Sequence, residues 1–277
     1  MTAPPSATGM LFRRRTRFQD ITLRRDRRGL FLTLNGSPQV HSSEEQPYHD
    51  CMATIPLLLA RHIRDVVILG GGDGLAARNI LNFSPTPRCT LVELDDGMID
   101  VCAHHPQWRA LTHGSLTDRR LTVVVSDAIA WLQRSRKTFD VIIHDLEMNF
   151  TDQPQELTAE RCFDFFTTTF AKLRPGGIWV LTVPSDADEG LPDGAFTLLR
   201  AELSALVQQR YRRARGPIAK VRLLLHALFP AVRSLTIAPS VLGKHTTFYI
   251  SNAPIRGFRR PSPVPLVISH AERRLGE

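Results

Sequence analysis

Four acidic residues in the central part of the chain stand at or just after the ends of apolar runs. They are Asp73 in GGGDG, Glu93 in VELD, Asp127 in SDA and Asp145 in FDVIIHD. If these runs are parallel strands, their carboxyl ends lie on one edge of a sheet, where open α/β sheets bind ligands. Any one acid there is equally well explained as a helix N-cap. Four of them on one edge favour a ligand-binding cleft.

The glycine-rich sequence GGGDG at residues 70–74 brings backbone close to a ligand but also carries the carboxylate of Asp73. A pyrophosphate would be repelled by this acid, because an anion at a helix N-terminus is bound by amide groups and the positive end of the dipole. The acid instead favours a ligand with a cationic group. S-adenosylmethionine and its relatives combine adenosine with a sulfonium and an ammonium. The loop glycines Gly70 and Gly72 are the predicted contacts to such a nucleoside.

Two further acids suit a nucleoside without phosphates. Glu93 lies about 20 residues beyond the glycine loop, where an acid accepts hydrogen bonds from both ribose hydroxyls. Asp127, followed by Ala128, begins the helix after the third strand. At that position its carboxylate is available to an adenine amino group.

The elements that must position these residues are repeated strand–helix units over residues 65–182. Near-continuous apolar strands alternating with helices indicate a parallel sheet covered on both faces. We predict an α/β fold, a Rossmann-like doubly wound sheet of the S-adenosylmethionine-methyltransferase type. A small antiparallel β unit precedes it at residues 17–43, where Asn35-Gly36 between apolar runs predicts a hairpin.

The predicted division is a small N-terminal β-hairpin domain over residues 1–48 and a Rossmann-like catalytic domain over residues 49–277. The LRPGG sequence is expected to form a tight turn from the last helix of the repeated units into its strand. The Pro- and Arg-rich residues 255–277 are expected to form a flexible tail.

The composition excludes several other classes of protein. The net charge of +8 resides in arginine runs with few interleaved aromatics, which favours a solvated surface over a specific nucleic-acid site. No apolar run reaches the ~18 residues of a membrane span, and the first residues do not form a secretory signal. The four cysteines show no paired spacing, so we expect reduced thiols, no metal site and a cytoplasmic protein.

With these motifs in order, the chain resembles the polyamine aminopropyltransferases, the spermidine synthase family, over residues 17–185 and 235–252. The matching sequences are FQDI, LNGSPQ before EEQPYHD, GGGDG, VELD, SDA and FDVIIHD. The resemblance implies four residues that hold the thioadenosine portion of a donor: Gln19, Glu93, Asp127 and Ala128. It implies three that hold amine groups: Tyr48, His49 and Asp73. Asp145 is implied as the catalytic base, beside the acceptor.

The resemblance also implies a reaction. The aminopropyl group of decarboxylated S-adenosylmethionine is transferred to an unprotonated amine, and methylthioadenosine leaves. The donor is then a co-substrate, and no tightly bound cofactor is expected. The expected partner is a small-molecule amine, with no specific nucleic acid and no membrane. A homodimer is possible.

Two departures from the family pattern leave alternatives open. The family has D-x-x-D-P-x-G-P after its fourth strand, whereas this chain has DLEMNFTDQPQELT, with Met148 at the position of the second acid. Glu147 and Asp152 are nearby acids, neither of them in register with the missing one, and Glu147 is the candidate to bind the acceptor. The N-terminal unit, with about 16 residues before FQDI, is also interpreted as lacking the family's first hairpin.

The alternative functions are methyl or 3-amino-3-carboxypropyl transfer from S-adenosylmethionine, and a non-catalytic protein that binds a nucleoside. A donor that keeps its carboxylate needs a cation near the loop, and Arg78 is the candidate. The identity of the acceptor stays open.

Overall fold

The structure is a computed structural model that describes residues 9–146, 166–184, 231–237 and 245–255. It contains two sheets. A four-stranded sheet has the order β1-β2-β3-β4, and a seven-stranded sheet has the order β10-β11-β9-β8-β5-β6-β7. Glu147, Met148 and Cys162 lie outside the described residues. So do residues 195–213, for which the sequence predicts a helix, and the tail after residue 255.

The N-terminal sheet is formed by consecutive antiparallel strands. They are β1 (Gly9–Arg15), β2 (Asp20–Arg25), β3 (Leu30–Leu34) and β4 (Ser37–His41). Asn35 and Gly36 connect β3 to β4 with φ angles of 51° and 83°. Two successive positive φ angles are what a tight two-residue hairpin requires, so the predicted hairpin is confirmed.

Strand β1 corrects the sequence interpretation. The β unit was expected to begin at residue 17, after arginines interpreted as solvated surface. Residues 9–15 instead form a strand that pairs with β2, so the β unit begins at residue 9. The strand is at the edge of the sheet: Leu11 and Phe12 pack against the core, while Arg13 donates to Asp20 at 2.6 Å on the exposed side. An edge strand tolerates such charges.

The central sheet confirms the predicted doubly wound α/β fold. Its strands are β5 (Asp65–Gly70), β6 (Arg88–Glu93), β7 (Leu121–Val125), β8 (Phe139–Asp145), β9 (Leu173–Pro184), β10 (Ala231–Ile237) and β11 (His245–Ser251). The five strands from β7 to β9 in the sheet are parallel. Strand β11 is antiparallel to β9, and β10 is antiparallel to β11.

Helices follow the strands as the sequence predicts. They are α1 (Glu45–His49), α2 (Ile55–Leu59), α3 (Leu75–Leu81), α4 (Asp96–His104), α5 (Pro106–Leu111) and α6 (Ala128–Arg134). Helix α1 passes into α2 through a π-helical turn, Asp50–Thr54. A further helical segment at residues 166–171 leads into β9. Of the helices in these described parts, none has the length and apolar character needed to cross a membrane.

The LRPGG sequence was expected to be a turn between the last helix and its strand. It lies within the bounds of β9 and forms a bulge there, because β9 has residues 174–177 between its pairs with Phe139 and Val141. Gly176 takes a φ of 75°, and its amide donates to Asn252 Oδ1 at 2.9 Å. Proline and glycine thus serve a bulge, where a missing donor and a positive φ are tolerated.

The two sheets share an apolar core. Residues of the N-terminal sheet such as Ile21 and Leu32 belong to the same buried cluster as Ile68 of β5 and Val141 of β8. The opposite face of the central sheet is covered by a second cluster that includes Trp179 and Phe248. The β unit is therefore packed onto the central sheet through a continuous core.

Candidate active site

The four acids predicted to converge do lie on one edge of the central sheet. Strands β8, β5, β6 and β7 are neighbours in this order, and the acids stand at or just beyond their carboxyl ends. Gly70, the last residue of β5, is in register with Asp145, and Glu93 is in register with Val125 of β7. This edge is where open parallel sheets bind ligands.

The glycine loop lies in direct contact with two of these acids. Gly70 has a φ of 85°, and a Cβ atom there would lie 2.1 Å from the carbonyl oxygen of Asp145. A Cβ atom on Gly72 would lie 2.8 Å from the side chain of Glu93. Only glycine permits both the positive φ at Gly70 and this close approach. Larger residues would push the loop away from both acids.

Glu93 has its carboxylate held by backbone amides. Oε2 accepts from the amide of Gly72 at 3.0 Å, and Oε1 accepts from the amides of Leu94 at 2.7 Å and Asp95 at 3.0 Å. Burial raises the pKa of Glu93, although the three amides oppose the shift. The carboxylate is therefore fixed in orientation and remains half-buried at the edge.

Asp73 is anchored through its backbone as well as its side chain. Its Oδ1 accepts from the amide of Leu75 at 2.7 Å, and its carbonyl accepts from Nε1 of Trp108 at 2.8 Å. Ser115 Oγ donates to the next carbonyl, that of Gly74, at 2.6 Å. Sequence reasoning missed Trp108 and Ser115, because nothing in their spacing relates α5 and the following turn to the glycine loop.

Gln19 reaches the same edge from the N-terminal sheet. Its Nε2 donates to Asp95 Oδ2 at 2.9 Å, and Thr16 Oγ1 donates to the same oxygen at 2.8 Å. The other oxygen of Asp95 accepts from the amide of Gly97 at 3.0 Å and caps α4. Asp95 therefore links Gln19 to the loop that follows Glu93. This role of Asp95 was not predicted.

Asp127 caps α6, since its Oδ1 accepts from the amide of Ala130 at 2.7 Å. One carboxylate oxygen of Asp127, Oδ1, therefore makes the helix cap that the sequence allowed. The other oxygen, Oδ2, takes no part in this cap. Ala128 is buried beneath this turn. Two exposed apolar side chains lie on the flanking segments, Leu94 at 40% and Val125 at 56% exposure.

Tyr48 and His49 approach the edge from helix α1. The ring of Tyr48 contacts His49 edge-on at 5.2 Å and His245 of β11 at 5.4 Å between centroids. Burial raises the pKa of Tyr48 well above its usual range, and the charges of Asp145 and Asp73 add to the shift. The phenol is therefore protonated and close to both acids. His245 was not predicted, since a histidine at a strand start carries no signal of its own.

Asp145 has the most perturbed carboxyl of the site. Its Oδ2 is buried and has no hydrogen-bond partner among the described residues. Burial, followed by repulsion from Asp73, raises its pKa to about 7, while the charge of His49 opposes the shift and Glu93 adds to it. A carboxyl group with such a pKa can accept a proton near neutral pH.

The remaining predicted cation, Arg78, does not serve this cleft. Its Nη1 and Nη2 donate to the two carboxylate oxygens of Glu45 at 2.7 and 2.9 Å, and the guanidinium is buried. Arg78, the candidate cation for a donor that keeps its carboxylate, is therefore already bound to Glu45. With Asp73, Glu93 and Asp145 together, the cleft has an excess of negative charge and suits a ligand with cationic groups. The described residues contain no cluster fit to hold a metal ion.

The fold and the site define a class of protein, a doubly wound α/β protein with an acidic carboxyl edge on its central sheet. The sequence profile of the spermine/spermidine synthase domain matches residues 45–185, half of the chain. The chain belongs to this family.

Curated relatives agree with this assignment. Polyamine aminopropyltransferase 2 from Pseudomonas aeruginosa is 31% identical over 174 residues, which are 61% of this chain and 48% of that protein. Polyamine aminopropyltransferase 2 from Ralstonia nicotianae is 39% identical over 128 residues, which are 46% of this chain and 25% of that protein. The chain thus spans about half of the first relative and a quarter of the second.

Solved structures agree with the fold. A crystal structure of spermidine synthase in complex with the transition state analogue AdoDATO matches with a TM-score of 0.69 at 18% identity, over 96% of this chain and 88% of that one. The spermidine synthase of Thermotoga maritima matches with a TM-score of 0.65 at 17% identity, over 96% and 87%.

Proposed function

We propose that the protein is an aminopropyltransferase of the EC 2.5.1 class. It transfers the aminopropyl group of decarboxylated S-adenosylmethionine to a small amine and releases methylthioadenosine. The observation that carries the proposal is Oδ2 of Asp145, which is buried beside the acidic glycine loop and has no hydrogen-bond partner in the described part of the chain. Such an arrangement suits two cationic substrates, one of which must lose a proton before it reacts.

In the proposed complex, the nucleoside half of the donor lies along the loops after β5, β6 and β7. Glu93 receives the ribose hydroxyls, and Asp127 Oδ2 receives the adenine amino group beside Ala128. Gly70 and Gly72 allow the loop to approach the nucleoside. Gln19, held by its hydrogen bond to Asp95, contacts the nucleoside from the opposite side. The exposed side chains of Leu94 and Val125 offer apolar contact to the adenine ring.

Asp73 then pairs with the donor ammonium, and the acceptor amine lies between Tyr48, His49 and Asp145. Asp145 takes one proton from the acceptor ammonium. The freed nitrogen lone pair attacks the carbon next to the sulfonium, the carbon–sulfur bond breaks, and its electron pair neutralises the sulfur of methylthioadenosine. The protein contributes positioning and general-base catalysis. Glu147 is proposed to assist with the acceptor, as the sequence suggests.

The alternative, transfer from S-adenosylmethionine itself, is less favoured because of Arg78. A donor carboxylate beside Asp73 would need a compensating cation, and the guanidinium of Arg78 is already bound to both oxygens of Glu45. A desolvated carboxylate next to a second one carries a large energetic penalty. The donor without a carboxylate fits the cleft better.

The first prediction separates these donors. The protein is incubated with S-adenosylmethionine or with its decarboxylated form, each with a set of amines, and the released nucleoside is identified by mass. We expect methylthioadenosine and an aminopropylated amine from the decarboxylated donor alone. Asp73→Asn, measured in parallel, is expected to weaken use of this donor because the ammonium loses its charge partner. Release of S-adenosylhomocysteine from S-adenosylmethionine would contradict the proposal and assign methyl transfer.

The second prediction concerns the ribose. Glu93→Gln should weaken methylthioadenosine binding by about 1.5–3 kcal/mol, the usual contribution of hydrogen bonds to a charged acceptor. Calorimetric titration measures the change. Asp100→Asn serves as the control, because Asp100 is an exposed acid on α4 that pairs with Arg14 away from the cleft. Unchanged affinity in Glu93→Gln would mean that the ribose is held elsewhere.

A further inference from the structure

We propose that Glu45 is a positioning residue, which acts through His49 and is itself held by a buried ion pair with Arg78. Its task is to keep the hydrogen of the neutral imidazole on Nδ1, so that Nε2 presents an acceptor to the substrate amine. This inference rests on the proposed function, because it refines how His49 meets the acceptor.

The ion pair that holds Glu45 is buried and bidentate. Glu45 is 3% exposed and Arg78 5% exposed, and two parallel N–H···O bonds of 2.7 and 2.9 Å join them. Arg78 also donates to Gln46 Oε1 at 3.0 Å and to the carbonyl of Leu111 at 3.2 Å. A guanidinium held in this way fixes the plane of the carboxylate.

The contacts of His49 determine which of its ring nitrogens carries the hydrogen. Nδ1 lies 2.8 Å from the carbonyl oxygen of Glu45 and 3.0 Å from its Oε2. Both oxygens are acceptors only, so Nδ1 must be the donor. In the neutral ring Nε2 therefore carries the lone pair, and the tautomer is set by Glu45.

The charged and titratable groups around His49 lie on three elements. Glu45 and the phenol of Tyr48 lie on its own helix, Asp73 in the glycine loop and Asp145 at the end of β8. Burial opposes protonation of the imidazole, but the hydrogen bond to Glu45 and the negative charges of Asp73, Glu45 and Asp145 outweigh it and raise the pKa of His49. A cationic substrate that pairs with Asp73 and Asp145 cancels part of their negative charge. The imidazolium form of His49 is then less stabilised, and the neutral ring is favoured.

The same network ties His49 to the glycine loop. Arg78 and Asn79 belong to α3, which begins directly after that loop. Asn79 Nδ2 donates to Asp50 Oδ1 at 3.1 Å and to Thr54 Oγ1 at 3.2 Å, both in the π-helical turn that follows His49. The helix that carries Tyr48 and His49 is thus docked on the helix that carries the loop of Asp73. π-helical turns occur often at functional sites.

The test uses ¹⁵N-labelled histidine and nuclear magnetic resonance across a pH series, with His49 assigned from the loss of its signals in His49→Gln. We expect the Nδ1–H tautomer in the free protein. Glu45→Gln should lower the pKa of His49 by about one to three units, the usual effect of losing an adjacent opposite charge. His41 is the internal control, since its Nε2 contacts Asp26 at 3.2 Å. Asp26→Asn should change the ¹⁵N signals of His41 and leave those of His49 unchanged.

A kinetic measurement separates this role from a purely structural one. In Glu45→Gln the side-chain amide can donate to Nδ1 of His49 and move the ring hydrogen to Nε2. The KM for the acceptor amine should then rise about tenfold, as for loss of one well-aligned hydrogen bond, while methylthioadenosine affinity stays within about twofold. If Glu45→Gln fails to fold, the doubly neutral variant Glu45→Gln/Arg78→Met is used, which leaves no unpaired buried charge.

The possible failures are distinguishable. An Nε2–H tautomer of His49 in the unsubstituted protein overturns the inference, whatever the enzyme does. Absence of aminopropyl transfer by the unsubstituted protein contradicts the proposed function and leaves the tautomer result standing. If Glu45→Gln weakens binding of the amine and of methylthioadenosine to the same extent, Glu45 has a structural role only, and the inference is wrong.

Discussion

Asp145→Asn is expected to lower the single-turnover rate of aminopropyl transfer about 10²–10⁴-fold, the range for loss of a general base. Asparagine keeps the shape of the side chain and much of its hydrogen bonding, but it cannot take the proton of the acceptor ammonium. Affinity for methylthioadenosine should change little, because the nucleoside is assigned to Glu93, Asp127 and the glycine loop. Rapid-quench kinetics with saturating donor, together with calorimetry, separates the two quantities.

The pH dependence of the rate provides an independent check. Burial and Asp73 raise the pKa of Asp145 to about 7, so the rate should rise with pH through this region as the carboxylate forms. Asp145→Asn should lose that rise and keep a low, flat rate. Asp100→Asn, on the exposed side of α4, should retain the full profile.

The stability of the folded protein should change with pH in the opposite direction to the rate, falling as the pH rises. The folded-state pKa of Asp145 exceeds the unfolded value of ~3.9, so the folded protein binds the proton more tightly. Its contribution to stability is therefore present below about pH 4 and is lost as pH rises through about 7. Asp145→Asn should be more stable than the unsubstituted protein at pH 8, with the difference vanishing in acid. A slow variant that is also less stable at pH 8 would point to damage of the fold instead of a lost base.

Much of the fold could be predicted because the relevant signals are local. Apolar strands alternating with helices predict a parallel sheet, and the carboxyl ends of such strands meet at one edge. Asp73, Glu93, Asp127 and Asp145 were placed together on this argument alone. Asn35-Gly36 identified its hairpin because both residues tolerate a positive φ.

The features that sequence reasoning missed depend on distant contacts. Strand β1 is rich in arginine and becomes a strand only through pairing with β2 and through the apolar contacts of Leu11 and Phe12. Trp108 has no periodic relation to the loop whose carbonyl it binds. Arg78 looked available to a ligand because its partner, Glu45, is 33 residues away along the chain.

The last prediction concerns the stability of that ion pair. Arg78→Met is expected to lower the free energy of unfolding by about 3–5 kcal/mol, the usual cost of leaving one member of a buried pair without its counter-charge. Among the residues that the structure describes, Glu45 then keeps only His49 as a partner for its charge. The double variant Glu45→Gln/Arg78→Met should be considerably more stable than Arg78→Met, because no buried ion remains. Urea denaturation of the two single variants and the double variant gives the coupling energy, provided that the m value is constant.

Arg88→Met is the matched control. Arg88 binds Asp65 with Nε–Oδ1 and Nη2–Oδ2 distances of 2.7 and 2.9 Å, the same bidentate spacing as Arg78 with Glu45. The side chain of Arg88 is 79% exposed, however, and Asp65 retains a second partner in Arg174 at 2.7 Å. Its removal should change stability by no more than about 1 kcal/mol. Equal losses in Arg78→Met and Arg88→Met would show that burial does not govern the pair, and that α1 is held on α3 mainly by apolar packing.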